Sequence, residues 1–150
     1  MKRCFIFTEK GRTFLDQTTR RKLLYRDPPT SPDAPQNNPP WVQMYVGVWR
    51  AVPEVKAPFW ANYSPDRYTI PVIGVVSRDG KHLAALANGA ADQMGQAWHD
   101  CLHNNPPWEP ADALPAERRW RLKVYVMPND PDALLARVLR DFPQAGKLRQ

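Results

Sequence analysis

Prolines interrupt this chain so often that they restrict its fold more than any other residue type does. The 150 residues include seventeen prolines and only seven glycines. Proline has no backbone N–H and a fixed φ, so it ends helices and is excluded from the middle of central strands. The sequence therefore predicts short helices and short strands joined by stiff, extended connections.

The densest group of prolines divides the chain into unequal parts. Six of the fourteen residues in 27–40 are proline, which favours an extended polyproline conformation. We interpret this segment as a connector between a basic N-terminal hairpin or arm, residues 1–26, and a single domain, residues 41–150. A hydrophobic content of 43% and a charged content of 24% are typical of one globular domain.

Local signals predict two hairpins. Residues 3–15 contain two apolar runs around a turn with a glycine, and residues 68–87 contain two runs around Asp79-Gly80. Pro71 lies in the first strand of the second hairpin, which places the start of that strand at an edge or a bulge.

Helical periodicity predicts two principal helices. Residues 90–104 place their apolar side chains on one arc of a helical wheel and their polar side chains on the other. The second helix, residues 131–142, has Asp130 as its N-cap and Pro131 at its first position. With an alternating strand over 120–126, these elements predict an α+β domain, in which a mainly antiparallel sheet built from hairpins packs against the two helices.

The net charge of +6 is unevenly distributed along the chain. Residues 1–26 hold eight basic and two acidic side chains, and the other 124 residues hold thirteen of each. A basic segment on a neutral body is typical of a protein that contacts a polyanion, and it is also compatible with a solvated basic face. Between Lys81 and Arg118 there is no lysine or arginine, and this stretch holds all three histidines.

The histidine-bearing stretch contains the strongest candidate for chemistry, the sequence WHDCLH at residues 98–103. On a helix, histidines four residues apart share one face and reach one ion, as in the H-E-x-x-H motif of zinc peptidases. We therefore predict a divalent-metal site, with zinc preferred and with His99 and His103 as ligands. Asp100 and Glu109 are candidates for a further ligand or a catalytic base.

Such a site predicts a metal-dependent hydrolase, in which a metal-activated water attacks the substrate. The alternative is two solvent-facing histidines that bind nothing. A helix would also place Cys101 about half a turn away from His99, which disfavours a Cys–His nucleophilic pair. The sequence contains no glycine-rich phosphate loop, serine-elbow motif or dinucleotide fingerprint.

The competing function is non-enzymatic binding or assembly. Residues 2–26 would contact a polyanion or a protein partner, and Trp60 and Tyr63 in the aromatic loop 59–68 would stack on bases or sugars. One strand face offers a further candidate surface for phosphate groups, formed by Arg119, Arg121 and Lys123. The alternative for both sets is structural, with rings that close the core and cations on a solvated sheet.

The two cysteines, Cys4 and Cys101, are too few for a disulfide-framed scaffold. We expect reduced, partly buried thiols, with a bridge between the two as the alternative in an exported protein. The sequence has no window of eighteen apolar residues and no signal-peptide pattern. We therefore expect a cytoplasmic protein without a membrane span, acting alone or as one subunit of an oligomer or larger assembly.

Overall fold

The fold is defined over part of the chain. A computed structural model describes residues 2–19, 42–53, 61–97, 101–107, 117 and 119–145. The predicted connector 27–40 lies outside these residues. Within them the backbone forms nine strands, two short 3₁₀ turns and one α-helix.

The strands form two sheets. In chain order the elements are β1 (Cys4–Thr8), β2 (Gly11–Phe14), β3 (Val42–Val46), β4 (Ala61–Tyr63), β5 (Ile70–Val76), β6 (His82–Asn88), β7 (Gln93–Ala97), β8 (Leu102–Asn105), β9 (Leu122–Pro128) and α1 (Pro131–Asp141). The large sheet has five strands in the order β2-β1-β5-β6-β9, and the small sheet has four in the order β4-β3-β7-β8. Neighbouring strands are antiparallel except for β3 and β4, which are parallel.

Both predicted hairpins are confirmed. The turn between β1 and β2 ends at Gly11, with φ of 85°, and the turn between β5 and β6 contains Gly80, with φ of 75°. Both values lie in the left-handed region, which glycine enters without a steric cost. Because β1 also pairs with β5, the N-terminal hairpin is part of the large sheet.

Pro71 lies at a bulge, as predicted. β1 pairs Ile6 with Ile73 and Phe7 with Ile70, so two residues of β5, Pro71 and Val72, fall within a single step of β1. The ladder is interrupted at this point, and the missing N–H of proline costs no hydrogen bond between β1 and β5.

The helix α1 covers one face of the large sheet. Asp130 caps the helix, since its Oδ1 accepts the N–H groups of Asp132 and Ala133 at 3.1 and 2.9 Å. The predicted second helix is therefore confirmed, and it ends at Asp141. The core beneath the helix includes Leu134 and Val138 of α1 and Phe142, which directly follows it. These side chains pack with Tyr125 and Met127 of β9.

The small sheet covers the other face of the large sheet. A second core lies between the two sheets, and its largest members are fully buried: Ile6, Tyr45, Tyr68, Ile73 and Met94. The Tyr68 hydroxyl donates to the Ala91 carbonyl at 3.1 Å, so its polar end is satisfied within this core. Burial raises the pKa of Tyr68, which keeps the phenol protonated. Helix, large sheet and small sheet thus form three layers.

The predicted helix over 90–104 is wrong. The segment forms β7 and β8, an antiparallel pair in the small sheet, and residues 98–100 lie outside the described residues. The side chains that face the large sheet alternate between apolar and polar types: Met94, Gln96, Leu102 and Asn104. Because half of these inward positions are polar, the sequence does not show the alternation of apolar and polar residues that is typical of a strand. The spacing of the remaining apolar residues matches a helix.

Candidate active site

The structure describes only some of the residues that the sequence singled out. His99, Asp100, Glu109 and Trp60 lie outside the described residues. The remaining candidates are distributed over both sheets: His103 on β8, Tyr63 on β4, Arg121 and Arg119 just before β9, and Lys123 on β9. Of the residues predicted for the metal site, the structure describes only His103.

His103 contacts Cys101. The Cys101 Sγ and the His103 Nε2 are 2.8 Å apart, and both side chains are half-buried. Residues two apart in an extended segment lie on the same side of the chain, whereas the predicted helix would have separated them. The sequence interpretation missed this pair because it assigned a helical period, although the Cys-x-His spacing is the signal that identifies it in a strand.

The distance between sulfur and nitrogen suits a hydrogen bond. Two ligands of one tetrahedral zinc ion, bound at ordinary Zn–S and Zn–N lengths, lie about 3.5 Å apart. At 2.8 Å the thiol and the imidazole are close enough to share a proton directly. The described residues contain no group of three or more His, Cys, Asp or Glu side chains that could hold a metal ion.

A row of residues crosses the four strands of the small sheet on the same face as the pair. Tyr63 lies opposite Met44, Met44 opposite Gly95, and Gly95 opposite His103. A Cβ atom on Gly95 would approach the Met44 Sδ to 2.6 Å, so the thioether lies against the glycine. Met44 therefore occupies the space above Gly95, between Tyr63 and His103 in this row.

Tyr63 ends this row at the opposite edge of the small sheet. Its side chain is buried, and burial raises the pKa of its phenol while the nearby Arg50 lowers it. The burial effect is the larger of the two. Tyr63 is therefore a neutral hydrogen-bonding group and not a phenolate at neutral pH.

The ladder of the small sheet also orients the backbone beside Cys101. Ser64 donates to the Met44 carbonyl at 2.8 Å, so the backbone groups of Met44 face β4. Met44 lies opposite Gly95, and because its backbone groups face away from β7, those of Gly95 face away from β3. The backbone groups of Gly95 therefore face β8 and pair with His103. Leu102 then directs its N–H away from β7, at the free edge of the sheet and directly after Cys101.

Asn104 anchors this strand to the large sheet. Its Nδ2 donates to the carbonyls of Pro71 at 3.2 Å and Leu86 at 2.9 Å, and the side chain is buried. The two bonds hold the inward face of β8 in place, which fixes the outward positions of Cys101 and His103.

A second candidate site lies where the N-terminal hairpin meets residues 64–67. An open cavity of about 620 Å³ is lined by charged side chains of both signs: Glu9, Lys10, Arg12, Asp66 and Arg67. Asp66 joins the two segments because its Oδ2 accepts the Thr19 N–H at 2.6 Å. This hydrogen bond is the main cause that lowers the pKa of Asp66.

Most cations near this cavity and on β9 already have partners. Arg67 donates to the carbonyls of Gly47, Val48 and Arg50, which fixes the chain after β3. The row that the sequence proposed for phosphate contacts is engaged as follows: Lys123 bonds Asp141 at 2.6 Å, Arg121 lies 5.4 Å from the centroid of the Phe142 ring, and Arg119 bonds Glu117 at 2.6 Å. Of these, the Arg119 pair is the most exposed to solvent.

Neither cysteine forms a disulfide; Cys4 is buried in β1 and Cys101 is half-buried. No helix of the described residues is long and apolar enough to cross a bilayer. The chain matches no protein-family model, no curated protein and no solved structure. The arguments for function therefore come from the geometry alone.

Proposed function

We propose that the chain is an enzyme in which the Cys101 thiol is the nucleophile and the His103 imidazole is its general base. The observation that carries this proposal is the 2.8 Å distance between Cys101 Sγ and His103 Nε2. A cysteine with a histidine in hydrogen-bond reach is the usual way in which a thiol is activated for covalent catalysis. The reaction class is acyl transfer to water, that is, hydrolysis of an ester, thioester or amide.

The reaction requires only the Cys101 thiol, the His103 imidazole, the substrate and one water molecule. His103 Nε2 takes the thiol proton, and the thiolate sulfur forms a bond to the carbonyl carbon of the substrate. The imidazolium then gives its proton to the leaving group as the bond between carbon and leaving group breaks. A water molecule, deprotonated by His103, hydrolyses the acyl thioester and restores the thiol.

Two features of the surroundings support this assignment. The Leu102 N–H, which follows the nucleophile and faces away from β7, is oriented to donate to the oxyanion of the tetrahedral intermediate. Both side chains of the pair are half-buried, so the sulfur is accessible to a substrate while part of its surroundings excludes water. Cys4, by contrast, is buried and provides an internal control.

Alkylation of the thiol tests the pair directly. At neutral pH, iodoacetamide should label Cys101 and leave Cys4 unlabelled, and H103Q should slow labelling by at least about tenfold because the base is lost. C101S should abolish hydrolysis of p-nitrophenyl acetate, whereas the matched variant C4S should retain it. Equal labelling rates in the wild type and H103Q would contradict the proposal.

A zinc-dependent hydrolase is the competing proposal for the same surface. Thiolate sulfur and imidazole nitrogen are both zinc ligands, and His99, Asp100 and Glu109 would complete the set. It differs from the thiol mechanism in one measurable quantity, the metal content of protein purified without a histidine tag. Stoichiometric zinc, with loss of hydrolysis on chelation and recovery on adding zinc, would favour the metal site and overturn a free thiol nucleophile.

A binding function is favoured by the cavity beside the N-terminal hairpin. Lys10 and Arg12 extend from a basic segment into this cavity, where Asp66 and Arg67 complete a polar lining. The non-enzymatic alternative is therefore a module that contacts a polyanion through this end of the molecule. K10E should weaken heparin binding and reduce its salt dependence, and the matched variant K81E, in the exposed turn between β5 and β6, should not.

A further inference from the structure

The large sheet ends in a long, regular edge strand. β9 has seven residues, whereas the other edge strands, β2, β4 and β8, have four, three and four. Among the described residues β9 pairs only with β6, along its whole length and without a bulge. A long, straight edge of this kind is what natural proteins usually shorten, bend or cover.

The backbone groups on the open side of β9 can be assigned from the ladder. The Asn129 N–H donates to the Lys81 carbonyl at 2.8 Å, so Asn129 faces β6. Because backbone groups alternate in direction along a strand, those of Pro128 and of every second residue before it face away from β6. These outward residues are Leu122, Val124 and Val126, and Pro128 follows them at the end of the strand, where its carbonyl accepts the Asp130 N–H at 2.7 Å.

The same three residues carry exposed apolar side chains. Leu122 is 50% exposed, Val124 is 62% exposed and Val126 is 75% exposed. Edge strands are commonly protected by a lysine or a proline at such positions. In β9 the only outward proline is Pro128 at the end of the strand, and the three positions before it are neither charged nor proline. The edge thus combines open hydrogen-bonding groups with an apolar row, on residues that can pair with another strand.

We propose that β9 pairs with β9 of a second copy of this chain, antiparallel and with the two-fold axis at Val124. In this register Val124 lies opposite its own copy and Leu122 lies opposite Val126 of the second copy. About six backbone hydrogen bonds form, and the two large sheets become one continuous ten-stranded sheet. An isologous contact of this kind closes as a dimer and does not extend into a fibre.

Charge is compatible with this register and disfavours the register centred on Lys123. With the axis at Val124, Lys123 lies opposite Tyr125 of the second copy, which repeats the approach of Lys123 Nζ to Tyr125 within one chain, 5.4 Å from the ring centroid. Arg121 lies opposite Met127, so no two cations of β9 are direct partners. An axis at Lys123 would instead place the two lysines directly opposite each other, which is destabilising.

The size of the contact determines how stable the dimer is. Two paired seven-residue strands bury less area than the 800 Å² or so per partner that is usual for a stable interface. The dimer is therefore reversible, and its population rises with the concentration of the chain. Pairing is independent of the thiol chemistry, because Cys101 lies on the small sheet and β9 ends the large sheet.

Sedimentation velocity of the full chain, from about 1 to 200 µM, tests the proposal. The wild type should shift from monomer to dimer over this range. V124K and V124E should each remain monomeric, because each places like charges at the axis, and an equimolar mixture of the two should recover the dimer. V124T, which keeps the strand geometry without a charge, is the matched control and should still dimerise.

Three results would overturn the proposal. The first is a wild type that stays monomeric at every concentration, as expected if another segment or another protein covers β9. The second is a V124K variant that dimerises as well as the wild type. The third is a mixture of V124K and V124E that remains monomeric. Each variant is first checked for a wild-type circular dichroism spectrum, which the exposure of Val124 leads us to expect.

Discussion

The Nζ of Lys123 lies 2.6 Å from the Oδ2 of Asp141, which ties the start of β9 to the last residue of α1. The Tyr125 hydroxyl donates to the same oxygen at 2.9 Å. A cation that the sequence suggested for phosphate contacts therefore has a carboxylate partner within the fold. The three groups hold the end of α1 against the large sheet.

We expect D141N to reduce the acid sensitivity of the fold. The hydrogen bond from Lys123 is the main cause that lowers the pKa of Asp141 below its ordinary value of 3.8. A lowered pKa means that the carboxylate stabilises the fold above that value and that this contribution is lost as the pH falls through the lowered pKa. Melting temperatures at steps from about pH 6 to pH 2.5 should fall further in the wild type than in D141N. D16N, at an exposed position, should behave like the wild type.

Substitution of Gly74 tests the packing of the large sheet. A Cβ atom at this position would clash with the ring of Phe5, on the neighbouring strand. G74A should therefore destabilise the fold by about 1–3 kcal/mol through overpacking, measured by urea denaturation. If the clash is the cause, the double variant F5L/G74A should lose less than the sum of the two single variants. Simple additivity would contradict this explanation.

Loss of the Asn104 side chain should both destabilise the fold and slow the thiol. N104A removes the two hydrogen bonds from the buried Asn104 side chain to the carbonyls of Pro71 and Leu86, at a cost of about 1–3 kcal/mol. Because Asn104 fixes the strand that carries His103, alkylation of Cys101 should also become slower. N105A, at the next and less buried position, should change neither quantity appreciably. If Cys101 is alkylated in N104A at the wild-type rate, the hydrogen bonds of Asn104 do not contribute to the reactivity of the pair.

Arg67 should not be replaceable by lysine. Its guanidinium contacts the carbonyls of Gly47, Val48 and Arg50 together, a geometry that a single ammonium group cannot reproduce. We expect R67K to lower the unfolding free energy by about 1–3 kcal/mol. The same exchange at Arg78, in the exposed turn between β5 and β6, should change it by less than about 0.5 kcal/mol. Urea denaturation of the two variants side by side measures the difference.

Sequence reasoning succeeds in this chain where one or two neighbouring residues determine the backbone. Gly80 after Asp79 is sufficient for the turn of the second hairpin, and Asp130 before Pro131 is sufficient for the start of α1. Pro71 likewise indicates the bulge, because proline has no N–H to donate and so interrupts the hydrogen bonding of any sheet. In each case the physical cause lies within the residue or its immediate neighbours.

The same reasoning fails where distant partners decide what is buried. Asn104 is buried because two carbonyls 33 and 18 residues away accept its amide, and no neighbouring residue indicates this. Without that knowledge the inward and outward positions of β7 and β8 do not differ consistently in polarity, so a helix was favoured. The pair of Cys101 and His103 follows from a strand assignment alone, which is why it was missed together with the strand.

The order of the strands also has a consequence for synthesis. β1 is synthesised before its second neighbour, β5, which lies more than sixty residues further along the chain. A ribosome that adds about 5–20 residues per second needs roughly 3–13 seconds to proceed from the end of β1 to the end of β5. During that interval Phe5, Ile6 and Phe7, which are all buried in the finished fold, belong to a nascent hairpin with one edge open. Until β5 is synthesised, that open edge presents unpaired backbone groups to which another extended segment can bind.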